Sequence, residues 1–308
     1  MISKNKVKQE ILKYFSENES DDAFLYGVIL SFGSIRIADR RIFLSVECDE
    51  DILLTRFAFE IKRKYAIGAS LNISQKSKKL KEVEIAEKEM LVLLEKTGAA
   101  AVSDGHIVGF TDTLEERYLG EREFQTVMRF AFFKNGVVRA PEQEENGGYY
   151  LEIVFESEAY AADVSDALLT YGIKAKLVER NESYVVYVKD GESVGAFLAL
   201  VAAYDSALAL QEILVVREER NNAHRRANCD SYNFDKSASA SVGQVLAIEK
   251  IKNNEQAMKL LPHELSDTAL CRLTHHTASI SELSELLGVS KGCVQHRLKR
   301  LQSIAEKL

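Results

Sequence analysis

Six polar side chains near the C-terminus have the types and spacing to read a nucleic acid. In "VSKGCVQHRLKRL" (residues 289–301), Lys291, Gln295, His296, Arg297, Lys299 and Arg300 make up the polar face of a helix. A Gln amide can pair bidentately with adenine, Lys or Arg can pair with guanine, and the remaining cations can hold phosphates. Lys291, Gln295 and His296 stand toward the N-terminal half, where recognition helices reach base edges. Arg297, Lys299 and Arg300 are expected on phosphates. The competing reading is a solvated basic face on a bundle helix. Other reactive groups are poorly placed. His275, His276 and His296 have no Cys or carboxylate at ligand spacing, and Asn228-Cys229 has no base beside it. Cys48, Cys229, Cys271 and Cys293 form no CxxC pair and suit reduced thiols in a cytoplasm. No metal and no cofactor is expected.

The elements that must position these residues can be read around them. Leu283, Leu286 and Leu287 give one helix an apolar face, Gly288 permits a sharp turn, and Ser290 is a good N-cap for the next helix. Val294 follows Gly288 by six residues, and Leu298, Leu301, Ile304 and Leu308 continue a buried stripe. Helix, glycine turn, helix at these offsets is the helix-turn-helix pattern. "ELSDTALCRLTHH" supplies a supporting helix before it. Upstream, Ala240, Val245, Ile248 and Ile251 suggest a helix that follows a polar, cation-rich connector.

An internal repeat organises the rest. "FLYGVILSFGSIR" (24–36) aligns with "VMRFAFFKNGVVR" (127–139), so that Gly33 falls on Gly136 and Arg36 on Arg139. After the first copy, "IRI" and "RIFLSVE" alternate as strands. A helix follows with Ile52, Leu53, Phe57 and Ile61 on one face, then two strands ("ASLNISQ", "LKEVEIA") and a helix through "EMLVLLEK". The second copy gives strands "GVVRA" and "GYYLEIVFE" around the "PEQEENGG" turn, then a helix ending at Gly172. A hairpin around "RNE" and a single long apolar helix, "ESVGAFLALVAAYDSALAL", complete it. The order αββαββα occurs twice. Leu25, Ile29 and Leu30, with Met128, Phe132 and Phe133, are expected to form the seam between halves.

The net charge of −7 is unevenly spread. Residues 217–308 carry 14 Lys and Arg against 11 Asp and Glu, whereas residues 1–216 carry 26 against 36. Phosphates must be neutralised by cations, so the C-terminal third is the better DNA-binding candidate. Two prolines argue against long disordered linkers, and no run of about 18 apolar residues exists to span a membrane. The N-terminus "MISKNKVKQEILKYF" is charged and helical and lacks a signal peptide's apolar block. The expected fold class is therefore α+β, a pseudo-symmetric tandem repeat followed by an all-α helix-turn-helix. The expected domains are 1–216 (repeats about 1–97 and 121–210), a connector and helix over 217–254, and DNA binding over 255–308.

"LYGVILSFG" and its partner copy resemble the LAGLIDADG motif of homing endonucleases, whose domain topology the two repeats share. In active members of that group, one carboxylate from each motif-helix end holds the divalent metal. The matching positions here are Phe32 and Asn135, which would be poor or impossible metal ligands. Asp21, Asp22 and Asp39 lie nearby in sequence but not at the paired helix ends. The chain as a whole resembles the WhiA family of Gram-positive DNA-binding regulators. That family's connector has the form RNxxNRxxNCxxANxxKxxxAAxxQxxxI. This sequence keeps Arg220, Asn221, Arg225, Asn228, Cys229, Asn233, Lys236, Ala240, Gln244 and Ile248, and departs at His224, Tyr232 and Ser241.

The resemblance implies a degenerate LAGLIDADG-like domain without endonuclease activity, joined to a helix-turn-helix that binds double-stranded DNA. It also implies roles in transcription, cell division, chromosome segregation and, in spore formers, sporulation. The protein would then be cytoplasmic and nucleoid-associated, without a membrane partner, and its first domain a platform for a protein partner or for DNA shape. Family members usually have a longer segment between the last two helices and an Asn before the His-Arg pair. Gln295 takes that place here, so the target sequence is expected to differ. Two other readings are a metal-dependent endonuclease with non-standard acids and a protein-binding adaptor.

Overall fold

A computed structural model describes residues 2–17, 22–38, 40–73, 81–141 and 147–308. Asp21, Asp39 and most of the "PEQEENGG" turn lie outside the described residues. The chain divides into two compact units, Met1–Glu218 and Glu219–Leu308.

The first unit opens with helix α1 (Lys4–Glu17). The first repeat then runs α2 (Asp22–Phe32), β1 (Gly33–Ala38), β2 (Arg41–Cys48), α3 (Asp51–Tyr65), β3 (Ser70–Ile73), β4 (Lys81–Ala86) and α4 (Glu87–Thr97). A hairpin, β5 (Ala100–Ser103) and β6 (His106–Phe110), and a 3-10 turn at Glu116–Tyr118 lead to the second repeat. That repeat is α5 (Glu121–Asn135), β7 (Gly136–Arg139), β8 (Tyr150–Phe155), α6 (Glu158–Thr170), β9 (Lys176–Arg180), β10 (Ser183–Val188) and α7 (Gly191–Leu200). The two four-stranded antiparallel sheets have equivalent orders, β1-β2-β4-β3 and β7-β8-β10-β9. In the first, Gly33 pairs with Val46 and Val46 with Val83; in the second, Gly136 pairs with Ile153 and Ile153 with Val186. The αββαββα order expected from the sequence is thus present twice.

The motif helices α2 and α5 pack side by side at the centre of this unit. Gly27 allows the approach: a Cβ there would lie 2.3 Å from Cδ2 of Phe130. Phe130 stacks on Phe15 at 4.5 Å and meets Phe24 edge-on at 5.4 Å. Of the residues expected at the seam, Leu25, Ile29, Met128, Phe132 and Phe133 are buried, with Phe132 packed on Phe197 of its own repeat, and Leu30 is exposed. On α3 the buried apolar set is Leu53, Leu54, Phe57 and Ile61. Ile52, expected inside, points to solvent, and Leu54 takes its place.

Two helix expectations need correction. The apolar run after Asp190 is not one helix. It breaks after α7, where Ala202 adopts φ 63°. Ala202 N–H bonds to Ala199 O and Ala203 N–H to Leu198 O, a Schellman ending built on alanine rather than glycine. The chain then enters α8 (Tyr204–Lys252), which runs without interruption through the expected polar connector. The start of α8 is capped from a distance: Glu10 on α1 accepts from Asp205 N (2.9 Å) and Ser206 N (3.2 Å). A carboxylate at a helix N-terminus satisfies orphan donors and the positive end of the helix dipole together.

The second unit comprises the rest of α8, α9 (Glu255–Lys259), α10 (His263–Thr274), α11 (Ile280–Leu287) and α12 (Lys291–Glu306). Its core is Ile248, Ile251, Leu265, Ala269, Leu283, Val294, Leu298, Leu301 and Ala305. Among the described residues, no helix is long and apolar enough to cross a membrane.

Candidate nucleic-acid interface

The three helices α10, α11 and α12 are held by local hydrogen bonds that the sequence encodes directly. Ser279 and Glu282 form a capping box at the start of α11: Glu282 N–H bonds to the Ser279 hydroxyl at 3.2 Å, and Ser279 N–H to the Glu282 carboxylate at 2.6 Å. The backbone bond from Ser279, then its side chain, holds the Glu282 carboxyl below its ordinary range. Gly288, at φ 64°, ends α11, with Gly288 N–H on Glu285 O and Val289 N–H on Ser284 O. Ser290 caps α12 by accepting from Cys293 N–H at 3.2 Å. The α10–α11 loop is pinned from beneath. Buried Arg272 donates to Ala278 O at 2.5 Å, and Ser241 of α8 donates to His276 O. Burial lowers the Arg272 pKa from its ordinary value.

With α12 fixed in this way, its faces separate. Val294, Leu298, Leu301 and Ala305 are buried. Ile304 is partly buried, and Leu308, expected inside, is exposed because it lies past the last turn. On α11, Leu283 is buried and Leu287 half-buried, but Leu286 is 57% exposed, so the apolar face is narrower than expected. Ser290, Lys291, Gln295, His296, Lys299 and Arg300 are all exposed. Arg297 differs from the expectation that grouped it with the phosphate contacts. It is half-buried, and its guanidinium lies 3.3 Å from the Glu264 carboxylate on α10.

The connector residues Arg220, Asn221, Arg225, Asn228 and Lys236 are all exposed positions on α8. Every residue from 223 to 240 is exposed, and only its C-terminal end, at Phe234, Ser237 and Ala238, borders a cavity shared with Leu273 and His276. Its clearest internal bond runs from Arg225 to Asn222 Oδ1 at 2.8 Å.

In the first unit, the two helix-end positions hold no acid. Phe32 is buried edge-on against Phe130 and Phe133, with the Lys134 ammonium 5.1 Å from its ring centre. Asn135 is exposed and donates to Val154 O at 3.1 Å. A 450 Å³ cavity beside Asn135 includes Asp112, Lys134 and Glu156 in its lining. A smaller one of 300 Å³ beside Phe32 includes Lys8, Glu47, Asp49 and Lys134. Asp22, the remaining described acid near the motif in sequence, pairs with Lys64 at 2.9 Å. Among the described residues, no group of three or more His, Cys, Asp or Glu could hold a metal.

Sequence reasoning missed one polar network. Arg36 pairs with Glu47 at 2.6 Å and Glu82 at 2.8 Å, and Ser45 also donates to Glu82. The cross-strand register β1-β2-β4 brings these residues together, and the pairing of Glu47 with Glu82 is not apparent from either strand alone. One guanidinium against two carboxylates leaves this part of the sheet acidic, which disfavours a phosphate.

A tandem αββαββα unit whose motif helices end on Phe32 and Asn135 rather than on acids, followed in the chain by a capped helix-turn-helix, defines a LAGLIDADG-like protein with an appended DNA-binding-type domain. The comparisons with known proteins make the class specific. A profile for the WhiA LAGLIDADG-like domain matches residues 21–101 and 124–220, and one for the WhiA C-terminal HTH domain matches residues 223–305. The probable cell division protein WhiA of Clostridium acetobutylicum is 33% identical over 319 residues, covering 100% of this chain and 98% of that protein. Its namesake from Clostridium perfringens strain 13 is 33% identical over 314 residues, covering 98% and 97%. The crystal structure of full-length DUF199/WhiA from Thermatoga maritima aligns with a TM-score of 0.48 at 22% identity, covering 100% of this chain and 99% of that one. The chain belongs to the WhiA family.

Proposed function

We infer that this protein is a sequence-specific DNA-binding transcriptional regulator that engages duplex DNA through α12 and does not cleave it. The observation that carries this reading is the exposed polar face of α12, Lys291, Gln295, His296, Lys299 and Arg300, on a helix capped by Ser290. Lys291, Gln295 and His296 contact base edges, and Lys299 and Arg300 contact phosphates. Arg297 acts differently: its pairing with Glu264 orients α12 against α10. The relatives' names support a role in cell division, and chromosome segregation and sporulation belong to the same reading. The working location is the cytoplasm at the nucleoid. The domains divide as 1–216, 217–254 and 255–308, with the first serving as a docking platform. A fragment limited to residues 279–308 folds poorly, because Ile248, Ile251, Leu265 and Ala269 supply part of its core.

The test is affinity for cognate and scrambled duplexes across a salt series, with folding checked for each variant. Gln295→Ala lowers discrimination between sites by roughly 1–3 kcal/mol for a lost bidentate pair. Lys299→Ala weakens binding about equally on all sequences and makes the salt slope shallower by about 1. If both leave affinity and slope unchanged while deletion of residues 1–216 abolishes binding, the assignment to α12 is wrong. A second measurement concerns catalysis. Phe32 and Asn135 cannot replace a pair of carboxylates, so supercoiled plasmid stays intact with Mg²⁺ or Mn²⁺. Nicking by pure protein that is abolished by chelation would overturn that expectation.

A further inference from the structure

The exposed stretch of α8 has a chemistry that its folding does not require. From 223 to 240 the helix is exposed on every side, so no core selects which face a residue occupies. Yet at about 100° per residue, Asn221, Arg225, Asn228, Tyr232 and Lys236 fall within an arc of about 80°. Arg220 and Arg226 flank the arc on either side. Asp230 and Glu219 lie on the far side of the helix, and Asp235 sits at the edge. The stripe spans about 22 Å at 1.5 Å per residue, the length of six or seven base pairs.

The stripe also leads to α12. Continued along α8, the same arc reaches Gly243, where a Cβ would lie 3.8 Å from Gln302 Nε2. On α12, Gln302 falls at an angle between Lys291 and Gln295. The arc on α8 therefore meets α12 at Gly243 and Gln302, within a single compact unit.

We propose that this stripe on α8, centred on Asn221, Arg225, Asn228, Tyr232 and Lys236, is a second DNA contact that tracks the phosphate backbone beside the site read by α12. The proposal rests on the reading of α12 as the recognition helix. Two guanidinium or ammonium groups with amides and a phenol between them supply charge and hydrogen bonds to phosphate oxygens without reading bases. The stripe thus adds affinity and lengthens the footprint, and leaves sequence preference to α12.

The test uses the full-length protein and the duplex it enriches from a random library, prepared with the selected core alone and with about ten flanking base pairs on each side. Arg225→Ala with Lys236→Ala should leave helix content unchanged, since both side chains are exposed. On the flanked duplex the double variant should give a salt slope shallower by about 2, on cognate and scrambled flanks alike. On the trimmed duplex it should bind like the parent. Arg226→Ala, off the arc, should leave the slope unchanged. Unchanged binding of the double variant on the flanked duplex, with Lys299→Ala still lowering the slope, sinks the stripe and spares α12. An equal loss with Arg226→Ala also sinks it, because diffuse charge would then explain the effect. Failure of Lys299→Ala together with the double variant removes the α12 reading itself.

Discussion

At Gly27 a single hydrogen decides how closely two helices meet. Phe130 occupies the space a methyl group would need, and Phe130 is itself held by Phe15 and Phe24. Gly27→Ala therefore has no flexible neighbour to displace, and overpacking of this kind costs about 1–3 kcal/mol. Urea denaturation followed by tyrosine fluorescence should show a lower midpoint; an unchanged midpoint would mean that the ring moves aside freely. The residue scale also shows what the sequence conceals. Phe32 and Asn135 were legible as acid-free positions from their place before Gly33 and Gly136. The pairing of Arg297 with Glu264 was not legible, because 33 residues separate them and either side chain alone reads as an ordinary surface charge.

Among the elements, those with a strong local signal are legible in the sequence. Alternation gave the strands, the spacing of buried residues gave α12, and Gly288 marked the end of α11. Adding a Cβ to Gly288 meets nothing within 4 Å, so Gly288→Ala isolates the cost of the left-handed backbone. That cost is about 1–2 kcal/mol, measurable as a lower thermal midpoint of the helix-turn-helix unit. Equal stability would show that the turn relaxes into another conformation. The misreadings have physical causes. The break after α7 uses alanine in a conformation usually marked by glycine, so composition gives no warning. The exposed part of α8 has no continuous apolar stripe, its exposed Phe234 standing alone among polar and small residues, and without such a stripe a helix reads as a connector. The β5–β6 hairpin had an available signal in Asp104-Gly105, both at positive φ in a two-residue turn, but the short, alanine-rich strand before it has Val102 as its one β-branched residue.

For the whole molecule, the balance of charge and the division into units tell one story. The acidic surplus lies before residue 217, and the cationic helices lie after it. Salt should therefore act on DNA affinity through the second unit. The continuity of α8 gives that unit a property of phase. Between Lys236 and Gly243 there is no loop in which a change of length could be absorbed. One alanine inserted after Ser239 would turn residues 221–236 by about 100° against Gln302 and shift them by 1.5 Å. Seven inserted residues would bring the arc back to within about 20° while moving it some 10 Å along the axis. The one-residue insertion should cost flanked-duplex affinity that the seven-residue insertion largely restores, with a footprint longer by about three base pairs. Equal binding by both would mean that phase is irrelevant and that the helix serves only as a spacer. If phase matters, then the length of this helix, counted in turns, is as much a determinant of recognition as any side chain on it.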